Sequence, residues 1–478
     1  MVKSRALLSY FLLFTGMLAF SISCTRPSQG AAAPPNILFI AVDDLRPELG
    51  CYGAGHIRSP HIDRLAATAR QFDRAYCQVP ICGASRASLL TGTYPTRYRF
   101  LSARTRADVD RPGVSSLPGH LKKHGYYTIS NGKVFDRPDD HLEAWSEPPF
   151  RFQGKVRWTD YHDPENIRLD SLHRLGRPWE RMDLPDTAYF DGHIAGKTIE
   201  DLKKLKNTGQ PFFLAAGFLK PHLPFTAPAR YWDYYDPEQI RLPRHQAYHP
   251  ADAPEQAFRS WTELLAYYGV PEGPLPDSLA RRLIHGYYAC VSYADAQIGR
   301  VLQALEDLEL AKNTVVVLWG DHGWHLGEHG LWCKKYNFQE ALRVPLLIRA
   351  PGMAGGRTQA VAELVDLYPT LCELAGIPLP EHLVGQSLVP QLQNPADPGT
   401  GYAFAKWEDG LSLLTDRYAY TEWLPTPDSM AARMLYDLVA DPAEMRNLAE
   451  NREYRSIVDS LHRRLEAVRG PDFEQPIE

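Results

Sequence analysis

The sequence predicts an α/β fold, a large and mostly parallel sheet flanked by helices, followed by a smaller C-terminal α+β subdomain. Three observations carry that expectation. Short apolar runs closed by polar residues occupy positions 36–42, 127–130, 211–218, 314–319 and 344–349, which is how strands covered by helices on both faces read. Helical patterns lie between them, so strand and helix alternate as a parallel sheet requires. After Pro395 the pattern changes to strand-like runs at 401–407 and 411–423 and a closing helix at 452–468.

Taken in order, the chain starts with Lys3 and Arg5, an apolar run over 6–20, then small residues and Cys24. That run is too short for an ordinary membrane span and reads as an export signal over residues 1–24. Cys24 follows Ser21-Ile22-Ser23, similar to a relaxed bacterial lipoprotein box without its usual Leu. A lipid on Cys24 and plain cleavage before Ala31-Ala32-Ala33 are the two alternatives, and both place the mature chain in the periplasm or at the cell surface. A lipid is then its only link to a membrane. Behind the first strand, Ile62, Leu65, Ala66, Ala69 and Phe72 fall at helical spacing. A longer helix over 278–310 carries Leu279, Leu283, Tyr287, Val291, Ala294, Ile298, Val301, Leu305 and Leu308 on one face. Two stretches, 137–186 and 226–277, are rich in Pro, Trp, Tyr and charge with little periodicity, and read as loops facing a substrate. The expected division is a catalytic domain over 36–395 and a subdomain over 396–478.

Composition narrows the function. The 478 residues hold 57 acidic and 52 basic side chains, a net charge of −5, which lacks the basic field of a non-specific nucleic-acid binder. With 44% apolar residues the chain is a globular protein. Beyond Cys24 there are six cysteines, Cys51, Cys77, Cys82, Cys290, Cys333 and Cys372, without a CxxC pair or a dense staple pattern. A disulfide scaffold is not expected, and buried thiols are.

In open parallel sheets ligands sit beyond the carboxyl ends of the strands. The first strand ends in Asp43-Asp44, and the 314–319 strand runs through Gly320 into Asp321-His322. Three carboxylates and an imidazole thus converge at one sheet edge; the carboxylates repel unless a cation lies between them, and they favour a hard divalent ion, Ca²⁺ or Mg²⁺. His322, His325 and His329 also invite a zinc reading. Glycines at 323, 327 and 330 deny them the regular helix that fixes a helical His motif, so zinc is disfavoured.

The sharpest local signal is Cys82-Gly83-Ala84-Ser85-Arg86, followed by Ala87-Ser88-Leu89-Leu90-Thr91-Gly92. It resembles the formylglycine consensus of type I sulfatases, in the alkaline phosphatase superfamily, whose core is Cys, any residue, Pro or Ala, any residue, Arg. The family also has an early Asp-Asp after a strand and a late Asp-His or Asp-Asn doublet, and all three occur here in order. The resemblance extends through Gly132-Lys133, Lys220-Pro221-His222 and Leu435-Tyr436-Asp437-Leu438 with Asp441-Pro442. DHGWHLGEHGLWCK at 321–334 and GKVF at 132–135 look closest to the iduronate-2-sulfatase-like branch.

The resemblance implies that Cys82 is oxidised to formylglycine by a formylglycine-generating or a radical maturation enzyme. Asp43, Asp44, Asp321, His322 and residue 82 then hold the cation. A thiolate adduct offers no easy release of sulfate, whereas a hydrated aldehyde has one hydroxyl to attack sulfur and a second whose deprotonation expels sulfate. Arg86 is expected to hold the diol, Lys133 and Lys334 the sulfate oxygens, and His222 to protonate the leaving alcohol. One departure stands out: relatives follow GKVF with a His that contacts the diol, where this chain has Asp136. Either Asp136 or the nearby His141 takes over as base, or the site is altered.

The function implied is hydrolysis of sulfate esters on a sulfated saccharide, a glycosaminoglycan or algal polysaccharide fragment. A phosphoester or phosphonate hydrolase of the same superfamily and a non-catalytic glycan-binding lipoprotein are the alternatives. Arg97, Arg99, Arg104, Arg106 and Arg111 suit a polyanionic sugar as well as they suit surface ion pairs, and Trp145, Trp158, Trp324 and Trp332 are candidates to stack on sugar rings.

Overall fold

The computed structural model describes residues 34–151, 158–173, 175–243, 248–259, 262–427 and 429–476. The expected export signal over residues 1–24 and Cys24 lie outside them. The central sheet has seven strands: β1 (Asn36–Val42), β2 (Arg70–Tyr76), β3 (Tyr127–Gly132), β4 (Phe212–Phe218), β5 (Thr314–Gly320), β6 (Arg343–Arg349) and β7 (Gly356–Glu363). Their spatial order is β7-β2-β6-β5-β1-β4-β3, and β6 alone runs antiparallel to its neighbours. The expected mostly parallel sheet is therefore present, with β5, β1 and β4 lying side by side within it. Nearly every residue of those three strands is buried, which is why they read as unbroken apolar runs.

Helices α1 (Pro60–Ala66), α2 (Cys82–Thr91), α3 (Phe190–Lys206), α4 (Asp277–Asp307) and α5 (Leu367–Ala375) cover the two faces. One core cluster joins Phe39, Phe213 and Val317 to Leu89 and Leu90 of α2 and Leu371 of α5. The other joins Leu38, Leu214 and Val316 to Leu202 of α3 and Leu283, Tyr287, Val291 and Val301 of α4. Among the described residues no helix is long and apolar enough to cross a membrane. The C-terminal sheet is antiparallel, β8 (Tyr402–Trp407), β9 (Gly410–Thr415), β10 (Tyr418–Trp423) and β11 (Ala432–Asp437), backed by α6 (Arg455–Arg469). All six described cysteines are unpaired, five of them buried.

Two local expectations are corrected. The helical spacing that took in Ala69 and Phe72 ends at Ala66, and Phe72 belongs to β2. This strand is hard to read because Arg70 and Asp73 are buried in it: Arg70 donates to the Ala354 and Leu392 carbonyls, and Asp73 accepts from Arg357 and Gln71. The 411–423 run is two strands folded at Asp416-Arg417.

Candidate active site

Strand register builds the site. Val42 pairs with Gly320, so Asp43-Asp44 and Asp321-His322 leave the sheet side by side. The ladder continues one step further, with Asp43 N donating to Phe218 O at 3.1 Å and Asp321 N to Val42 O at 3.3 Å. Asp44 then turns into the left-handed region at φ 58°, which Asp tolerates better than bulkier residues. Its amide donates to Asp321 Oδ1 (3.0 Å) and its carbonyl accepts from the Tyr287 hydroxyl of α4 (2.9 Å). On the other side Gly132 pairs with Gly217. A Cβ on Gly217 would lie 2.0 Å from the Lys133 carbonyl, so glycine is required where Lys133 leaves the edge.

Cys82 is the first residue of α2, a helix buried over its whole length. Its Sγ lies 3.2 Å from His322 Nε2, 3.4 Å from Lys334 Nζ and 3.8 Å from Asp44 Oδ1. One turn on, fully buried Arg86 donates through Nε to Asp321 Oδ2 (2.9 Å), through Nη2 to Asp43 Oδ1 (3.1 Å) and through Nη1 to the Lys133 and Val134 carbonyls. Its fork thus clamps both acidic doublets to the Gly132-Lys133 turn. Lys133 Nζ bridges Asp43 Oδ2 (2.7 Å) and Asp136 Oδ1 (3.0 Å), and Lys334 Nζ bridges Asp44 Oδ1 (2.7 Å) and Glu263 Oε2 (3.4 Å). His222 Nε2 stands 3.9 Å from both Asp44 Oδ2 and Glu263 Oε1.

Burial would raise the Asp43 carboxyl, but Lys133, His222 and Arg86 hold it well below the usual range. Burial wins at Asp44, which is pushed up to about 7 against the pull of Lys334. Both lysines stay charged: burial opposes this, and Asp43 at Lys133 and Asp44 at Lys334 outweigh it. The Cys82 thiol is pushed well up by burial and then by Asp43, so residue 82 is no thiolate nucleophile as it stands. Burial and then Lys334 bring His222 down to about 4.

The donor set fits a hard cation. Ligand atoms of Asp43, Asp44, Cys82 and His322 lie within 4.8 Å of one another, and Asp44 Oδ2 is buried without a hydrogen-bond partner. An orphaned carboxylate oxygen is costly unless something positive meets it. Asp321 stands directly behind, its Oδ1 accepting from the Asp44 and His322 amides.

The same chain matches the sulfatase family model over residues 35–377, nearly three-quarters of its length. It belongs to the sulfatase family. A model described as N-sulphoglucosamine sulphohydrolase, C-terminal, matches residues 327–470. Iduronate 2-sulfatase of Mus musculus is 32% identical, over 94% of this chain and 97% of that one. Among solved structures, BT4656 with its substrate D-glucosamine-2-N,6-O-disulfate superposes at TM-score 0.76 with 22% identity, over 92% of this sulfatase and all of that chain. The phosphonate monoester hydrolase SpPMH of Silicibacter pomeroyi superposes at TM-score 0.72 with 25% identity, over 91% and 95%.

Asp43, Asp44, Cys82, Arg86, Lys133, His222, Asp321, His322 and Lys334 lie together in this one constellation, whereas His325 and His329 lie in a separate group. Between the two candidates for the altered position, Asp136 is in the site on Lys133. His141 instead stacks on Phe135 and meets Glu143 through Nδ1. Of the four tryptophans, Trp145, Trp324 and Trp332 are buried and only Trp158 is exposed, its ring edge-on to His222 at 6.1 Å between centroids. Arg97 and Arg106 are engaged with Glu474 and with Asp108 and Asp139. Sequence reasoning missed Glu263. It lies in an aperiodic insertion, and no spacing rule connects it to Lys334.

Proposed function

We propose that this sulfatase hydrolyses sulfate esters of a saccharide, with formylglycine made from Cys82 by a maturation enzyme and Ca²⁺ or Mg²⁺ held by Asp43, Asp44, Asp321 and His322. The observation that carries the reading is the placement of residue 82 at a helix N-terminus, among two fixed ammonium groups and an unsatisfied carboxylate, with a thiol too basic to act itself. The bound cation supplies charge that draws the sulfate oxygens and favours an ionised hydroxyl at residue 82. The chain's own residues do the rest. Arg86 keeps both acidic doublets in register, and Lys133 and Lys334 flank the position of the sulfate and answer the charge that gathers on its oxygens. His222 faces the leaving oxygen. Its imidazole is neutral in this setting, and the negative charge of a bound ester raises its basicity until it holds the proton the departing alcohol needs. Trp158, exposed beside His222, offers a flat apolar face to a sugar ring.

Peptide mass spectrometry after expression in a host with the maturation enzyme tests the nucleophile: residue 82 should carry an aldehyde, and Cys82→Ala should fold but not turn over. Fully active protein with an intact Cys82 thiol would overturn the proposal. Assays on defined sulfated mono- and oligosaccharides test the substrate class, and turnover confined to aryl sulfates would refute it. We also propose export through residues 1–24, ending with a lipid on Cys24 or cleavage before Ala31. The mass of the mature N-terminus separates these two, and retention of residues 1–24 in the cytoplasm would refute both.

A further inference from the structure

The loop from His322 to Lys334 carries a catalytic group at each end, and its middle holds a second cluster that the sulfatase chemistry does not use. The glycines do forbid a regular helix. Residues 325–326 and 332–333 instead form a two-residue hairpin, with a single 3₁₀ turn at Glu328–Gly330 between them. That path sends His322 to the sulfate site and brings His325 and His329 together beside Glu340, with one donor atom from each within 4.8 Å of the others. Both imidazoles are buried, at 0% and 1% exposure.

The unsatisfied polar atoms of the region converge here. His329 Nε2 lies 2.7 Å from the Ala443 carbonyl and donates to it, which leaves Nδ1 with its lone pair, buried and without a partner. This is the arrangement of a metal-ligating histidine, in which the second nitrogen is fixed by a backbone carbonyl. Neither ring nitrogen of His325 forms a well-shaped hydrogen bond, and Glu340 Oε2 is unpartnered as well. Glu444 stands next to them, with Oε2 on the Gln339 amide and Oε1 unpartnered. A cavity of about 180 Å³ lined by Arg46, Glu48, Gln339, Glu340 and Arg343 opens onto Glu340 and gives an entry path.

We propose that His325, His329 and Glu340 bind a transition-metal ion, zinc by the chemistry of the set, which braces the loop between His322 and Lys334. Two imidazoles and one carboxylate are a zinc donor set, distinct from the carboxylate-dominated site that holds the hard cation. The loop has reason to need a brace. His329 and Cys333 both sit at positive φ, at 56° and 70°, and neither is glycine.

Elemental analysis of the full-length protein expressed with zinc and dialysed tests this, with Asp44→Asn as the control that separates the two sites. Wild type and Asp44→Asn should each retain one zinc per chain, and Glu340→Ala and His329→Ala should retain none. Glu340 is partly exposed, so its variant will fold even where His329→Ala does not. A zinc-selective chelator should lower the melting temperature of wild type by about 2–8 °C and leave that of Glu340→Ala unchanged. Folded wild type that takes up no zinc, or zinc that is lost with Asp44→Asn and kept by Glu340→Ala, would overturn the proposal.

Discussion

Replacing Lys334 by Met removes a charge and keeps the length of the side chain. Its ammonium lies 2.7 Å from Asp44 Oδ1 and 3.4 Å from Cys82 Sγ, so a sulfate oxygen bonded beside residue 82 meets it at hydrogen-bond range. Two unit charges about 3.4 Å apart in a medium of effective dielectric about 20 attract by roughly 5 kcal/mol, an upper bound before desolvation. Loss of one preorganised donor to a transition-state oxyanion costs about 3–4 kcal/mol, so kcat should fall ~10²–10³-fold. The metal should respond in the opposite sense. Lys334 competes with the cation for Asp44, so Lys334→Met should bind Ca²⁺ or Mg²⁺ at least as tightly as wild type. Calorimetric titration with the metal and steady-state kinetics on a sulfated sugar, on protein with residue 82 matured, read the two effects separately. A variant within about tenfold of wild-type kcat would refute the role in charge stabilisation. One that loses its metal along with its activity would show that Lys334 shapes the cation site instead.

Three further outcomes follow from the same geometry. Asp44→Asn should weaken metal binding and turnover together, and full activity in protein shown by elemental analysis to be metal-free would rule the site out as catalytic. His222→Ala should lose an extra ~10² in rate on a sulfated sugar over an activated aryl sulfate, because only the sugar hydroxyl needs a proton to leave; equal losses would reassign His222 to binding. Glu363 and Asp366 are buried together, and burial reinforced by each other's charge raises Glu363 to about 8, while burial raises Asp366 to about 7. A carboxyl raised on folding binds more protons in the native state, so its contribution falls as pH climbs from about 4.5 to about 8. Thermal melts should therefore show wild type losing stability relative to Glu363→Gln across that window, and parallel curves would refute the raised Glu363 carboxyl.

How much of this was legible in the sequence depends on what each residue needs from its neighbours. The strands β1, β4 and β5 were readable because burial on both faces leaves only apolar side chains. So were the residues that follow them, since a parallel sheet gathers its carboxyl ends at one edge. The resemblance to sulfatases added roles to Cys82, Lys133, His222 and Lys334 that spacing alone did not. β2 and β7 were missed because their buried charges are satisfied by partners 280 or so residues away, as Asp73 is by Arg357. Glu263 was missed for the same reason. The glycine argument about the 323–330 loop was right about the helix, yet a hairpin can bring His325 to His329 as closely as a helical turn does.

Charge bears on which anion the site accepts. Three fixed cations, Arg86, Lys133 and Lys334, face five carboxylates, Asp43, Asp44, Asp136, Asp321 and Glu263. Two negative charges are left over among these paired groups. A single dication makes the balance neutral. A sulfate monoester then brings one negative charge into the site, which the transition state spreads over oxygens facing both lysines. A phosphate monoester brings nearly two at neutral pH, and so leaves the site one charge more negative than a sulfate monoester does. Asp136 sharpens the point. A histidine there could take up a proton and a positive charge, whereas the aspartate keeps Lys133 paired and the site one charge poorer in cations. The aspartate should therefore tilt this sulfatase toward monoanionic esters and away from dianionic ones, by the same electrostatics that favour a cation among its carboxylates.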